Sequence, residues 1–191
     1  MINPTEFYTT RRSVKTVDMV PGAPSPGDQQ TILAAGLRVP DHGKLAPFQF
    51  VLFEGEARGK FGREVLAPRF AALNPSAAPT TIELEAKRFE QAGLVVAVLS
   101  TPKPHPKVPV WEQQLAAGAA CMNMLSCAQA LGYAAQWLTQ WYSFDTEVLQ
   151  AFGGDAQAGD QVAGVLYFGG QQINRVDRDR PDPANHIKIW S

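Results

Sequence analysis

A cluster of cationic and hydroxyl side chains stands near the start of the chain, in the sequence RRSVK from Arg11 to Lys15. Arginine presents a planar pair of donors to a phosphate, serine adds a hydroxyl donor, and lysine adds a mobile positive charge. The cluster follows a segment typical of a helix, and cations at the end of a helix also favour its negative dipole end. The residues alone leave two interpretations open, an anion site and a solvated helix end.

A histidine stands in the polar run Asp-His-Gly-Lys, directly after Pro40. Asp41 and His42 are neighbours in sequence and do not make a catalytic triad, because a base needs its orienting carboxylate on the far side of the ring. The composition favours a capped turn. The run joins a predicted helix to a predicted core strand, however, and binding residues are often placed on such loops.

Two later segments also carry candidate residues. HPKVPVWEQ (105–113) is a stiff proline loop before a helix, and QWLTQ (136–140) closes a predicted strand with backbone amides and a hydroxyl. The sequence contains neither glycine-rich nucleotide motif and no G-x-S-x-G elbow, and no carboxylate pair stands out. Where side-chain chemistry is sparse and an anion site is indicated, a cofactor can carry the reaction.

The elements that must position these residues are four strands and five or six helices, which predicts an α+β domain. The predicted strands are FQFVLFE (48–54), LVVAVLS (94–100), YAAQWLTQ (133–140) and VAGVLYFGG (162–170). The predicted helices cover 4–11, 29–38, 56–66, 82–92, 111–132 and 144–152. The Pro/Ala-rich stretch from Ala67 to Thr81 is predicted to be flexible.

The helix at 111–132 is small and apolar nearly all round, which is typical of a core helix or of a membrane span. Its Glu, Gln, Asn and Ser side chains favour the core. The tail after Gly170 is polar and ends in the apolar HIKIW. Such an arm often docks, and in a small domain a second copy of the chain can receive it.

Composition predicts one domain over residues 1–191 and gives no indication of a nucleic-acid or membrane partner, since the net charge is −1. The first residues lack the apolar core of a signal peptide, so we expect a cytoplasmic protein. Cys121 and Cys127 are six apart on a helix, beyond disulfide reach. With the three histidines they form no zinc pattern, and we expect no metal site.

Taken in order, these motifs resemble the nitroreductase/flavin reductase family, and in particular its short, single-domain bacterial NAD(P)H nitroreductases. The motifs are RRSVK, RVPDH before an aromatic strand, HPKVP with WEQ, the Trp137 strand and the strand VLYFG. The resemblance covers about residues 4–183. It implies an α+β fold around a mixed central sheet flanked by helices, an intertwined homodimer with 171–191 as a dimer arm, and one FMN at each of two interface sites.

The resemblance also implies a set of cofactor contacts. Arg11, Arg12 and Ser13 would hold the FMN phosphate and ribitol, and Lys15 would lie near the N1/O2 edge of the ring. His42 to Ala46 would belong to the flavin site, with the option that they serve the partner's flavin. Trp137, Leu138 and Thr139 would lie along the ring, and Arg175 would contribute at the phosphate end.

The implied activity is reduction of nitroaromatic, quinone or similar electron-poor small molecules by NAD(P)H through FMN, with no catalytic side chain of its own. The subgroup often has Arg where this chain has Leu138, a longer side chain at Ala46, and a basic residue one place before Arg175. These departures keep two alternatives open. One is a flavin-binding or flavin-handling dimer with little turnover, and the other is a structural dimer without flavin.

Overall fold

A four-stranded sheet forms the centre of the protein in a computed structural model that describes residues 3–170 and 177–191. The strands are β1 (Phe48–Phe53), β2 (Leu94–Ser100), β3 (Ala134–Leu138) and β4 (Gln161–Gly169), in the order β1-β2-β4-β3. Each of the three pairings is antiparallel, where a mixed sheet was expected. β1 and β2 are antiparallel because the helices between them return the chain to the end of the sheet where β1 stops. Phe53, the last residue of β1, therefore pairs with Val95 near the start of β2.

Helices cover both faces of this sheet. The helix bounds are α1 (Pro4–Thr10), α2 (Pro26–Gly36), α3 (Glu56–Phe61), α4 (Ala67–Leu73), α5 (Pro79–Ala86), α6 (Val110–Ala130) and α7 (Thr146–Ala151). A π-helical turn (Gly62–Leu66) joins α3 to α4. Residues of α2 and α6 pack on one face, and residues from the α3–α5 region and α7 pack on the other. The α+β prediction is confirmed.

Strand β2 is buried along its whole length, as its continuous apolar sequence predicts. Leu94, Val96 and Val98 contact the α2/α6 layer, while Val95 and Ala97 contact the opposite layer. This alternation follows from the two-residue period of a strand. β2 therefore joins the two halves of the core.

The region from Ala67 to Thr81 is helical over much of its length, so its predicted flexibility is wrong. Pro79 falls in the first turn of α5, where a missing backbone N–H is tolerated, and Pro68 lies just after the π-helical turn that leads into α4. The end of α5 is fixed by buried Glu85, which pairs with Arg88 and accepts a hydrogen bond from the indole of Trp141 at 3.0 Å.

Helix α6 packs along the sheet in the core, with Ala117, Ala120, Cys121 and Met124 fully buried. Over the residues that the structure describes, no helix combines the length and apolar character needed to cross a membrane. The last segment, His186–Ser191, adds no strand to the sheet of its own protomer. The apolar HIKIW end, which was expected to pack on another surface, is exposed in the protomer.

Trp137 of β3 is held between the sheet and α6 by a local irregularity of β4. The pairing of β2 with β4 shifts between Val98 and Leu99, and Ala163 is the extra residue. The Trp137 indole N–H donates to the Ala163 carbonyl at 3.2 Å, and the ring lies over Gly164. A side chain at position 164 would overlap the indole, so glycine is required there by this close approach.

We predict that Gly164→Ala displaces Trp137 and lowers the free energy of unfolding by about 1–3 kcal/mol, the usual cost of overpacking a core. Denaturant unfolding measures the loss, and tryptophan fluorescence of the folded protein reports the displacement. Gly27→Ala is the matched control, since a methyl group there meets no atom within 4 Å. A Gly164→Ala protein as stable as the control, with unchanged fluorescence, would contradict the assigned packing.

Candidate functional site

A cleft rich in positive charge forms where the two ends of the chain meet beside β3. Its volume is about 200 Å³, and its lining comprises Arg11, Arg12, Ser13, Lys15, Gln136, Arg178 and Arg180. Five of these seven side chains are cationic. The anion-site interpretation of RRSVK is therefore the one that the geometry supports.

The N-terminal side of the cleft is an extended segment that is hydrogen-bonded to β3. The Val14 N–H donates to the Ala135 carbonyl at 3.1 Å, and the Thr16 N–H donates to the Gln136 side-chain oxygen at 2.7 Å. Val14 is buried by this attachment, and its neighbours Ser13 and Lys15 are exposed. Because successive side chains of an extended segment alternate in direction, burying Val14 presents Ser13 and Lys15 to the cleft.

Gln129 of α6 holds Arg11 and Arg12 in place through two hydrogen bonds. Its Oε1 accepts a hydrogen bond from Nε of Arg11 at 3.1 Å, and its Nε2 donates to the backbone carbonyl of Arg12 at 2.6 Å. One neutral side chain thus orients one guanidinium and the backbone of the next residue without neutralising either charge. Gln129 is a positioning residue that sequence reasoning missed, since a lone Gln on a core helix carries no signal.

Asp177 lies next to the arginines at the C-terminal side of the cleft. Asp177 accepts from Arg180 at 2.9 Å and lies 3.9 Å from Nε of Arg12. Its own backbone contact with Arg178 and then its hydrogen bond to Arg180 hold the pKa of the Asp177 carboxyl below its usual value. Asp177 contacts two of the five cations that line the cleft, so the cleft stays strongly positive.

Repulsion between these cations is evident at Arg11. Burial, and after it the charges of Arg180, Arg12 and Arg178, lower the pKa of the Arg11 guanidinium from its ordinary value. Half-buried like charges raise the free energy of the folded protein unless an anion joins them. A group with two negative charges and several acceptor oxygens, such as a phosphate monoester, has the chemistry that offsets this cost.

Four of the predicted site residues, Arg11, Arg12, Ser13 and Lys15, are thus brought together by the structure. Arg175 lies outside the described residues. The cations that reach the cleft from this end are Arg178 and Arg180 instead, and their spacing of two in the sequence RDR was the signal that could have identified them. In an extended segment that spacing places both side chains on one side.

The His42 motif forms a capped turn away from this cleft. The Asp41 carboxylate accepts from the backbone N–H groups of Leu45 at 3.2 Å and Ala46 at 2.8 Å. It thereby supports left-handed backbone at Lys44 (φ 54°) and Ala46 (φ 46°), a conformation that costs free energy in residues with a Cβ. His42 is exposed, and its Nδ1 lies 2.7 Å from the Glu112 carboxylate at the start of α6.

The three residues at the end of β3 have different surroundings. Trp137 packs inward toward α6, Leu138 packs against the opposite core layer, and Thr139 is exposed where the strand ends. None of them lines the cleft, but Gln136, the residue before them, does. Elsewhere in the described chain, no group of three or more His, Cys, Asp or Glu side chains is placed to hold a metal ion.

Comparison with known proteins agrees with this architecture. The sequence pattern described as Nitroreductase family matches residues 8–170. A protein of Escherichia coli strain K12, named Putative NAD(P)H nitroreductase YdjA, is 32% identical over 186 residues, which span 97% of this chain and 98% of that protein.

Solved structures share the fold at lower identity. The nitroreductase-like family protein from Bacillus cereus superposes with a TM-score of 0.83 at 18% identity, covering 100% of this chain and 97% of that one. A nitroreductase from Bacteroides fragilis NCTC 9343, solved with bound FMN, has a TM-score of 0.67 at 21% identity and covers 100% of both chains.

Proposed function

The chain belongs to the nitroreductase family, and from that premise we propose that it is an FMN-dependent oxidoreductase that uses NAD(P)H to reduce electron-poor acceptors. Two findings support the cofactor and the donor: the B. fragilis structure contains FMN, and the E. coli relative is named for NAD(P)H. The observation that carries the proposal within this chain is the cationic cleft.

The cleft fits the phosphate of FMN. Arg11, Arg12, Arg178 and Arg180 supply guanidinium donors for phosphate oxygens, and Ser13 supplies a hydroxyl. Burial, and after it the charges of the neighbouring arginines, lower the pKa of Arg11, and a dianion bound among these groups would offset the repulsion between those charges. We therefore assign the phosphate end of FMN to this cleft.

A bound FMN supplies two-electron chemistry, taking electrons from reduced nicotinamide and passing them to an acceptor. Lys15 is exposed beside the phosphate cleft, and its positive charge would stabilise negative charge on the ring edge, in the manner of a preorganised electrostatic group. Trp137 and Thr139 would support the ring from the end of β3. The protein contributes position and charge rather than a nucleophile.

The acceptors in this proposal are planar nitroaromatics, quinones and similar compounds. Donor and acceptor would use the same side of the cofactor in turn, which gives ping-pong kinetics. We also propose that the protein is a single domain acting in the cytoplasm.

A homodimer is the second part of the proposal. Ile187, Ile189 and Trp190 at the end of the chain are exposed, the last at 97%, and such a run of large apolar side chains is costly in water. Leu115 on α6 is also half exposed. We propose that the 171–191 arm packs on a second copy of the chain, and that the 42–46 turn then contributes to the partner's flavin site.

A second candidate function, flavin binding with little turnover, is favoured by one residue. Leu138 is apolar and packs against the core. Proteins of the subgroup that this chain resembles often carry Arg at this position. A missing cation near the ring would weaken stabilisation of the charge that reduction creates there.

Anaerobic mixing with NADH and NADPH separates the two functions. We expect the purified protein to be yellow from FMN, and its visible flavin absorbance to bleach with either nicotinamide and to return when a quinone is added. Stable flavin absorbance in the presence of both nicotinamides would favour the second candidate. A colourless protein that takes up no added FMN would contradict both.

Removal of Arg11 tests the phosphate assignment. We predict that Arg11→Ala weakens FMN binding by about 1.5–3 kcal/mol, the scale of a charged hydrogen bond, or roughly 10- to 150-fold in Kd by fluorescence titration. Gln129→Ala, which keeps every charge, should cause a smaller loss because it only releases Arg11 from its support.

Arg63→Ala serves as the control for that titration. Arg63 is an exposed arginine on the turn between α3 and α4 and lies outside the lining of the cleft. The role assigned to Arg11 is refuted if its variant and the control bind FMN alike.

Replacement of Trp190 tests the dimer. Burying a Trp side chain contributes about 2–3 kcal/mol, so Trp190→Asp should raise the dimer dissociation constant by at least roughly tenfold in sedimentation analysis. Asp179→Ala is a suitable control, because it changes the charge of the arm without touching its apolar end. A monomeric wild-type protein with full flavin content would contradict the proposed assembly.

A further inference from the structure

A basic surface next to the His42 turn has no role in the function proposed above. It comprises the exposed side chains of Lys44, Lys103, Lys107 and Trp111, and we name it the lysine surface. Lys44 belongs to the 41–46 turn, the next two residues belong to the proline loop between β2 and α6, and Trp111 lies in the first turn of α6.

The proline loop is held in one conformation by two side chains. Gln113, only 2% exposed, accepts from the Lys103 N–H at 2.9 Å and donates to the Lys103 carbonyl at 2.8 Å. Nδ1 of His105 accepts from the backbone N–H groups of Lys107 and Val108 at 3.2 and 3.1 Å. Lys103 and Lys107 therefore project from a compact, preorganised loop.

The 41–46 turn packs against this loop. A carbon built on Gly43 would lie 3.6 Å from Cγ2 of Val108, and His42 reaches Glu112 across the junction. The left-handed backbone at Lys44 thus belongs to a turn that packs directly against the proline loop, which brings Lys44 near the segment that carries Lys103 and Lys107.

The charges of this surface are not neutralised within the described part of the protomer. None of the three lysines forms an ion pair with a residue between 3 and 170 or between 177 and 191. The adjacent carboxylates are already engaged, Glu112 by His42 and Asp41 by two backbone amides. Three ammonium groups without an ion-pair partner in the described residues outnumber these two carboxylates, so the surface keeps a net positive charge that an anion can meet.

The first turn of α6, directly after the proline loop, carries an exposed aromatic ring. Trp111 is 67% exposed, and a flat exposed ring next to cations is the combination that binds phosphorylated nucleosides, because the base stacks on the ring while the phosphate meets the charges. A phosphate on a purine nucleoside is the chemical class that uses both features at once.

We propose that the lysine surface binds the 2′-phosphoadenosine end of NADPH and makes this protein selective for NADPH over NADH. The inference rests on the proposed function, in which the 42–46 turn contributes to a flavin site that reduced nicotinamide must approach. NADH differs from NADPH only in lacking the 2′-phosphate. The free energy that the 2′-phosphate gains from contact with the lysines is therefore the free energy by which the protein discriminates between the two donors.

The test measures kcat/KM for both nicotinamides with the FMN-loaded protein. In Lys103→Ala/Lys107→Ala, the ratio of kcat/KM for NADPH to that for NADH should fall about tenfold, the effect of losing one charged hydrogen bond. Lys60→Ala is the control, since it removes an exposed lysine from α3 and should leave the ratio unchanged.

A binding measurement gives an independent readout. Calorimetry should show that adenosine 2′,5′-bisphosphate binds the wild-type protein at least about tenfold more tightly than adenosine 5′-monophosphate, with a strong loss at high salt. The double variant should bind both nucleotides alike. Trp111→Ala should weaken both, because stacking does not depend on the 2′-phosphate.

Three results would overturn the inference: equal binding of the two nucleotides by the wild-type protein, an unchanged ratio in the double variant, or equal losses for NADPH and NADH. Failure of the proposed function has a different signature, because neither nicotinamide would then bleach the flavin. In that case the calorimetry still shows whether the lysine surface binds the 2′-phosphate.

Discussion

Like charges held close together in a half-buried cleft are the constraint on which the rest of the site depends. Arg11 and Arg12 come from one end of the chain and Arg178 and Arg180 from the other. Burial, and after it the charges of the other three arginines, lower the pKa of Arg11. Asp177 offsets a part of this cost. Such an arrangement persists only because surrounding contacts hold it, and it then has a large free energy to gain from a dianion.

The fold supplies those contacts through β3 and α6. Backbone and side-chain groups of β3 accept hydrogen bonds from the N-terminal segment. Gln129 of α6 accepts a hydrogen bond from Arg11 and so orients it. β3 is in turn fixed by its pairing with β4 and by the Trp137 indole, which donates to the Ala163 carbonyl. The indole fits there only because residue 164 is a glycine and has no side chain. The packing of β2 and α6 in the core therefore matters for function, because it fixes the positions of the cationic side chains in the cleft.

Local sequence predicted the parts of the protein that depend on local physics. β1 and β2 were predicted almost to the residue because their runs are β-branched and aromatic, and Asn3 and Pro4 begin α1 as their types indicate. Proline misled the prediction at 67–81, where its place in a first helical turn stabilises a helix. The RDR spacing marks Arg178 and Arg180 as a pair on one side of an extended segment, but their place beside Arg11 could not be predicted, because it depends on the tertiary return of the tail to β3.

A crystal structure of the protein with FMN tests the role of the cationic cleft most directly. We expect the phosphate among Arg11, Arg12, Ser13 and Arg180, with Gln129 still bonded to Arg11 and the ring directed toward the end of β3. A flavin whose phosphate lies outside this cleft, with the arginines facing solvent, would contradict that role.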